Sequence, residues 1–243
     1  MGSCKDRLAV VLSFVFVLAM SSSVRSESKG SDLIDPLQPF VKSIAGDIGT
    51  LPESRRPLLD QVADYVTQKL LDGKPVRLNF ICTHNSRRSH MGQVWCQIAA
   101  NYYGVAMVET YSGGTEATAC NIRTIQALRR AGLSIATTTT GANPIYSLEY
   151  SDSQPPIRAF SKKYSNDANP KEGFAAMMCC SDADTRCPVV IGSDARFALH
   201  YEDPKVADGT SEESNRYDER SRQIATEMFY VMSAVSQQLA KGS

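Results

Sequence analysis

Apolar residues recur at every fourth position between Glu53 and Asp72, at Leu58, Val62, Val66 and Leu70. That stripe predicts an amphipathic helix. Pro57 suits its first turn, and Gly73 and Pro75 close it. Before it, residues 27–51 read as short helical pieces limited by Pro36 and Pro39. After it the pattern changes. Val76 to Ile81 (VRLNFI) reads as a buried strand entering the Cys82 loop. Ser89 to Tyr103 returns to a helical period, with Met91, Val94, Trp95, Ile98 and Tyr102 on one side and Gly104 at the end. Val105 to Tyr111 reads as a second strand, closed by Ser112-Gly113-Gly114. Asn121 to Ala131 reads as a helix stopped by Gly132. Phe174 to Cys180 (FAAMMCC) and Arg196 to Tyr201 read as a third and a fourth strand. Ser214 to Leu239 reads as a terminal helix, with Tyr217, Ile224, Met228, Val231 and Val235 at helical spacing. Residues 134–173 contain Pro144, Pro155, Pro156 and Pro170, have no strong period, and read as an irregular functional loop or lid.

Strands alternating with helices predict an α/β fold, a three-layer sandwich in which a four-stranded parallel sheet is flanked by helices. A helical extension over residues 27–75 precedes the main domain, residues 76–241. Active loops of such sheets lie at the carboxyl ends of strands. Cys82, Ser112 and Cys180 all fall at such ends, so they are expected to converge.

The N-terminus changes the picture of where the chain works. Lys5 and Arg7 precede an apolar run from Leu8 to Met20, and the small residues SSSVRS follow. Residues 1–26 therefore read as a secretory signal peptide, which implies a secreted or periplasmic protein. The run is shorter than the roughly 20 residues a bilayer span needs; an uncleaved anchor is the alternative. Once the signal is removed, no segment is apolar enough to cross a membrane. Lys and Arg number 26, as do Asp and Glu. A neutral chain gives no sign of a nucleic acid partner. Seven cysteines in 243 residues are too sparse for a disulfide scaffold.

The chemistry concentrates in Cys82-Thr83-His84-Asn85-Ser86-Arg87-Arg88-Ser89. A buried strand runs into the cysteine and a helix begins at the serine. Successive backbone N–H groups at a helix N-terminus form an anion cradle, and that field favours the thiolate, the nucleophilic form of cysteine. Arg88 supplies a planar fork for a tetrahedral oxyanion. Ser89 can donate to the sulfur, and Asn85 can adopt the left-handed backbone that braces the loop. Thr83, His84, Asn85, Ser86, Arg87 and Arg88 make up the oxyanion-binding set, with the Arg87 side chain expected in solvent. His84 and His90 have no evident partners. Cys96 and Cys120 read as small core residues of helices.

On these residues the chain resembles the low-molecular-weight protein tyrosine phosphatase superfamily, and within it the thioredoxin-coupled arsenate reductase branch. The resemblance runs from about Val76 to Val235. Cys82, Asn85, Arg88 and Ser89 match the family's loop, with His84 where a glycine is usual. Ser112-Gly113-Gly114-Thr115-Glu116-Ala117 resembles its second loop. The resemblance implies the phosphotyrosine phosphatase I-like fold. It also implies Asp203, followed by Pro204, as general acid, with Glu202 as the fallback. Cys180-Ser181-Asp182-Ala183-Asp184-Thr185-Arg186-Cys187-Pro188 closely resembles the redox segment of the reductases. It implies a relay in which Cys82 attacks arsenate, Cys180 attacks Cys82 and Cys187 attacks Cys180. Such a relay needs no bound cofactor or metal, only an external thiol reductant such as thioredoxin. Hydrolysis of aryl phosphates through a phosphocysteine needs Cys82, Arg88 and Asp203 alone. A structural Cys180–Cys187 disulfide, a zinc site with Cys179 or His200, and a non-catalytic oxyanion-binding module are the remaining readings.

Overall fold

The computed structural model describes residues 32–187 and 189–242; the signal-peptide reading, residues 1–26, lies outside them. Helices α1 (Gln38–Asp47) and α2 (Arg56–Leu71) form the expected extension. Pro39 and Pro57 both fall in first turns, where the missing N–H is not needed. The elements that follow are β1 (Val76–Cys82), α3 (Arg88–Tyr102), β2 (Val108–Gly114), α4 (Ile122–Arg130), β3 (Ser134–Thr137), β4 (Tyr146–Glu149), β5 (Ile157–Ala159), β6 (Phe174–Met178), α5 (Ser181–Arg186), β7 (Ser193–Ala198) and α6 (Glu213–Gly242).

The main sheet has the order β2-β1-β6-β7 and every pairing is parallel. The three-layer α/β expectation holds. β1 is buried along almost its whole length, as a central parallel strand covered on both faces must be. Phe80, Met177 and Phe197 are in register on β1, β6 and β7 and share one face. α3 and α2 cover that face. A Cβ on Gly92 of α3 would stand 2.3 Å from the Phe80 ring, so only glycine lets α3 sit this close to β1. Tyr65 of α2 packs edge-on against Phe197, with centroids 5.7 Å apart. α6 closes the layer over α3, where Trp95 Nε1 donates to Ser221 Oγ at 2.9 Å. The opposite face carries Asn79 and Arg196. Asn79 Nδ2 donates to the Tyr164 carbonyl at 3.5 Å, and Arg196 Nη2 donates to the Asp184 carbonyl of α5 at 2.8 Å.

Four expectations need correction. Residues 134–173 are not wholly irregular: β3, β4 and β5 form a small antiparallel sheet within them. Strands of three or four residues are too short to print a period on the sequence. The second strand begins at Val108, because the left-handed Gly104 and Met107 (φ 61°) keep 105–107 out of the strand. The fourth strand covers 193–198, three residues earlier than its apolar end suggested: it is an edge strand, and its first half is open to solvent. Cys120 lies just before α4, which Asn121 caps by accepting the Arg123 N–H at 2.9 Å.

Candidate active site

β1 ends at Cys82, and α3 begins six residues later. The loop between them is anchored by its carbonyls. Cys82 O accepts from Thr115 N at 3.1 Å, and Thr83 O from Glu116 N at 2.8 Å. His84 O accepts from Ser161 Oγ at 2.8 Å, and Ser86 O from Asn121 N at 2.9 Å. The N–H and C=O of a trans peptide point in opposite directions. With these four carbonyls held outward, the N–H groups of residues 83, 84, 85 and 87 turn into the loop and form a concave cluster of donors suited to an anion. The Ser112-Gly113-Gly114 segment makes the bracing possible. A Cβ on Gly114 would lie 2.1 Å from the Glu116 carbonyl and 2.8 Å from the Asn85 nitrogen.

Asn85 has φ 44°, the left-handed geometry expected of it. His84 is not left-handed, so this loop closes without glycine at that position. The Asn85 side chain is fully buried and works at both ends. Its Oδ1 accepts the Lys162 N–H at 2.9 Å, and its Nδ2 donates to Ser89 Oγ at 2.9 Å. Ser89 Oγ lies 3.0 Å from Cys82 Sγ. Because the serine oxygen already accepts from Asn85, its own proton is left to point at the sulfur.

Arg88 Nη1 donates to the Tyr201 carbonyl and Nη2 to Asp203 Oδ2, both at 2.8 Å. Its Nε is buried and has no hydrogen-bond partner among the described residues. Arg87 is not solvated as expected. Its side chain is only 12% exposed, Nε donates to Tyr217 Oη at 3.0 Å, and Nη1 stands 3.5 Å from Asp203. No signal in the local sequence announces this, since Tyr217 lies 130 residues away on α6. Glu202, the fallback acid, is largely exposed and pairs with Arg220 instead. A cavity of about 440 Å³ opens above the loop, lined by Thr83, Ser86, Arg87, Arg88, Asp182 and Asp203 among others.

The remaining cysteines divide by position. Cys180 is buried at the N-cap of α5, with its sulfur 3.6 Å from Thr83 Oγ1. Cys187 caps the other end of α5 and is half-buried. Cys179 is fully buried beside Cys82, and burial pushes its thiol well up from the ordinary value. Burial likewise raises Cys96 above the range in which a thiol ionises in water, and Cys120 to about 12. All six cysteines of the described residues are unpaired. His200 turns to Asp184, at 2.9 Å, and not to the cysteines; among the described residues no three His, Cys, Asp or Glu side chains gather as a metal site.

His90 lies beneath the loop with Nδ1 3.2 Å from Ser112 Oγ. Burial, with the Lys162 charge nearby, lowers it to about 3, so it is a neutral strut. Lys162 was not legible as a site neighbour. It is buried, and desolvation lowers it to about 8.

No family model matches the chain. Among curated proteins, an arsenate reductase of Oceanobacillus iheyensis is 30% identical over 135 residues, which cover 55% of this chain and 78% of that relative. The chain belongs to the arsenate reductase family. A second member, the arsenate reductase of Bacillus subtilis strain 168, is 29% identical over 143 residues, 59% of this chain and 84% of the relative. Among solved structures, a low molecular weight protein tyrosine phosphatase from T. tengcongensis covers 65% of this chain and 98% of its own, at 16% identity and a TM-score of 0.45. The family therefore rests on the sequence relatives.

Proposed function

We propose that this protein reduces arsenate to arsenite through Cys82, Cys180 and Cys187, with an external dithiol of the thioredoxin type as reductant. The observation that carries the reading is Cys180, a second buried sulfur touching the loop that begins at Cys82. Hydrolysis has no use for it. The Cys82 thiolate attacks arsenic, an S–As bond forms, and an arsenate oxygen leaves as water after protonation. The Cys180 thiolate then attacks Cys82 Sγ. An S–S bond forms, the S–As electron pair stays on arsenic, and As(V) leaves as arsenite, As(III). The Cys187 thiolate attacks Cys180, and Cys82 departs as thiolate. The dithiol reduces the Cys180–Cys187 disulfide.

The last exchange requires α5 to open. Seven steps along a helix separate its two caps by about 10 Å, whereas a disulfide holds Cα atoms about 4.4–6.8 Å apart. A helix of six residues is marginal on its own. The partial exposure of Cys187 gives the reductant access. The leader sequence supports an exported protein, whose reductant then belongs outside the cytosol. Arsenite release by the full-length protein with a thioredoxin-type reductant tests the reading; turnover unchanged in Cys180→Ser rejects the relay.

One observation favours a second reading. Asp203 stands at the mouth of the loop, 2.8 Å from Arg88, where a general acid of phosphomonoester hydrolysis would stand. Among the described residues lining the mouth none is Phe, Tyr or Trp, so an aryl phosphate loses the roughly 0.5–1.5 kcal/mol that such a ring pair contributes. Hydrolysis of an aryl phosphate faster than arsenate reduction would reverse the assignment.

A further inference from the structure

Arg55 stands at the N-cap of α2, in the N-terminal helical extension. Its Nε and Nη2 donate to Glu227 Oε1 and Oε2 at 3.0 and 2.6 Å. Glu227, on α6, is 1% exposed. Its Oε2 also accepts from Tyr201 Oη at 2.8 Å. The Arg55 guanidinium lies over the Tyr201 ring, 5.5 Å from its centroid. Tyr201 is thus gripped at its hydroxyl and at its ring face, and its N–H donates to the Cys179 carbonyl at 2.9 Å. Its carbonyl is the acceptor for Arg88 Nη1, and Asp203, two residues on, accepts from Nη2.

We infer that Arg55 is a positioning residue for the oxyanion site: through Glu227 and Tyr201 it fixes the carbonyl that orients Arg88. The inference rests on Arg88 as an oxyanion-binding residue, and it holds for arsenate and phosphate alike. The extension is then part of the machinery. Glu227 without Arg55 is a buried carboxylate left with Tyr201 Oη and a long bond from Gln223, at 3.3 Å. Such a charge pulls in water or a new partner and shifts Tyr201. Burial and the Glu227 charge hold the tyrosine hydroxyl protonated, so it stays the donor to Glu227 as pH rises. A guanidinium bound at both ends of its fork has a fixed plane, and an anion cradle misaligned by a fraction of an ångström loses most of its advantage.

The test uses full-length protein and inorganic phosphate as the probe. Phosphate is titrated against alkylation of Cys82 by iodoacetamide, a neutral reagent. The unprotected rate reports the sulfur, and the protection midpoint reports the oxyanion site. Arg55→Met is expected to raise the phosphate midpoint about tenfold and to leave the unprotected rate within about twofold of wild type. Arg55→Lys, which keeps the charge but not the fork, is expected to recover part of the loss. Asp47→Asn removes a different ion pair between the extension and α6, with Arg222, and is expected to move neither readout. A phosphate midpoint in Arg55→Met equal to wild type overturns the inference. So does a midpoint that rises only together with a comparable fall in the unprotected rate, or a wild type that phosphate does not protect. If Arg55→Met does not fold, Tyr201→Phe removes a single bond from the same chain and is held to the same outcomes. Wild type that is protected by phosphate but releases no arsenite defeats the reductase reading and leaves this inference standing.

Discussion

Replacing Ser89 by alanine removes one oxygen from the most constrained part of the site. Ser89 is fully buried, accepts from Asn85 Nδ2 at 2.9 Å and faces Cys82 Sγ at 3.0 Å. A hydrogen bond to a charged partner contributes about 1.5–3 kcal/mol. At about 1.36 kcal/mol per decade, its loss slows attack by Cys82 by roughly 10- to 150-fold. A second cost falls on folding. Asn85 Nδ2 loses its acceptor, and a buried unsatisfied donor costs about 1–3 kcal/mol. The two effects separate by assay. Single-turnover arsenate consumption in excess enzyme reports the sulfur, and urea unfolding reports the orphaned amide. Ser89→Ala is expected to lose both rate and stability. A variant that is destabilised yet attacks arsenate within about twofold of wild type would show that the serine braces the loop and does not assist the sulfur. The hydrogen-bond direction argued from Asn85 would then be wrong.

Three further outcomes follow from the same geometry. His90 is lowered from 6.5 to about 3 in the folded state, so the unfolded chain binds the extra proton; stability is expected to fall by about 2 kcal/mol between pH 6.5 and 5 from this group alone, and a urea series with His90→Gln, whose slope should be flatter, checks it. Lys162, lowered from 10.5 to about 8, costs stability below pH 8 that is regained between pH 8 and 10.5; Lys162→Met is expected to be more stable than wild type at pH 7, by at most about 3 kcal/mol, with the gap closing by pH 10.5 in the same melts. Asp184 ties α5 to Arg196 and, at 2.9 Å, to His200, so Asp184→Ala is expected to speed formation of the Cys180–Cys187 disulfide several-fold in stopped-flow oxidation; an unchanged rate would mean that α5 opens without passing through this clamp.

The main sheet was legible because its strands carry signals that burial requires. FAAMM is apolar on both faces and VRLNFI is apolar apart from Arg77 and Asn79 on one of them, a composition that suits buried parallel strands, and Cys82 through Ser89 sits where a strand gives way to a helix. Asn85 was readable as left-handed because few residues other than glycine tolerate that backbone. What stayed hidden depends on distant contacts. The β3–β5 sheet is built from strands too short for periodicity. The burial of Arg87 comes from Tyr217, 130 positions away, and the grip on Tyr201 depends on the pair Arg55 and Glu227, whose members are 172 positions apart. α5 itself went unseen because the six residues between two cysteines, with Ala183 the one apolar member, carry no apolar stripe.

The relay predicts one observable that hydrolysis and simple binding do not. Reduced protein is mixed with one equivalent of arsenate and no external reductant, then acid-quenched and mapped by mass spectrometry for its disulfides. The account predicts one equivalent of arsenite and a Cys180–Cys187 bridge, with Cys82 returned to the free thiol. Arsenate recovered unchanged, with all three sulfurs still reduced, would contradict it.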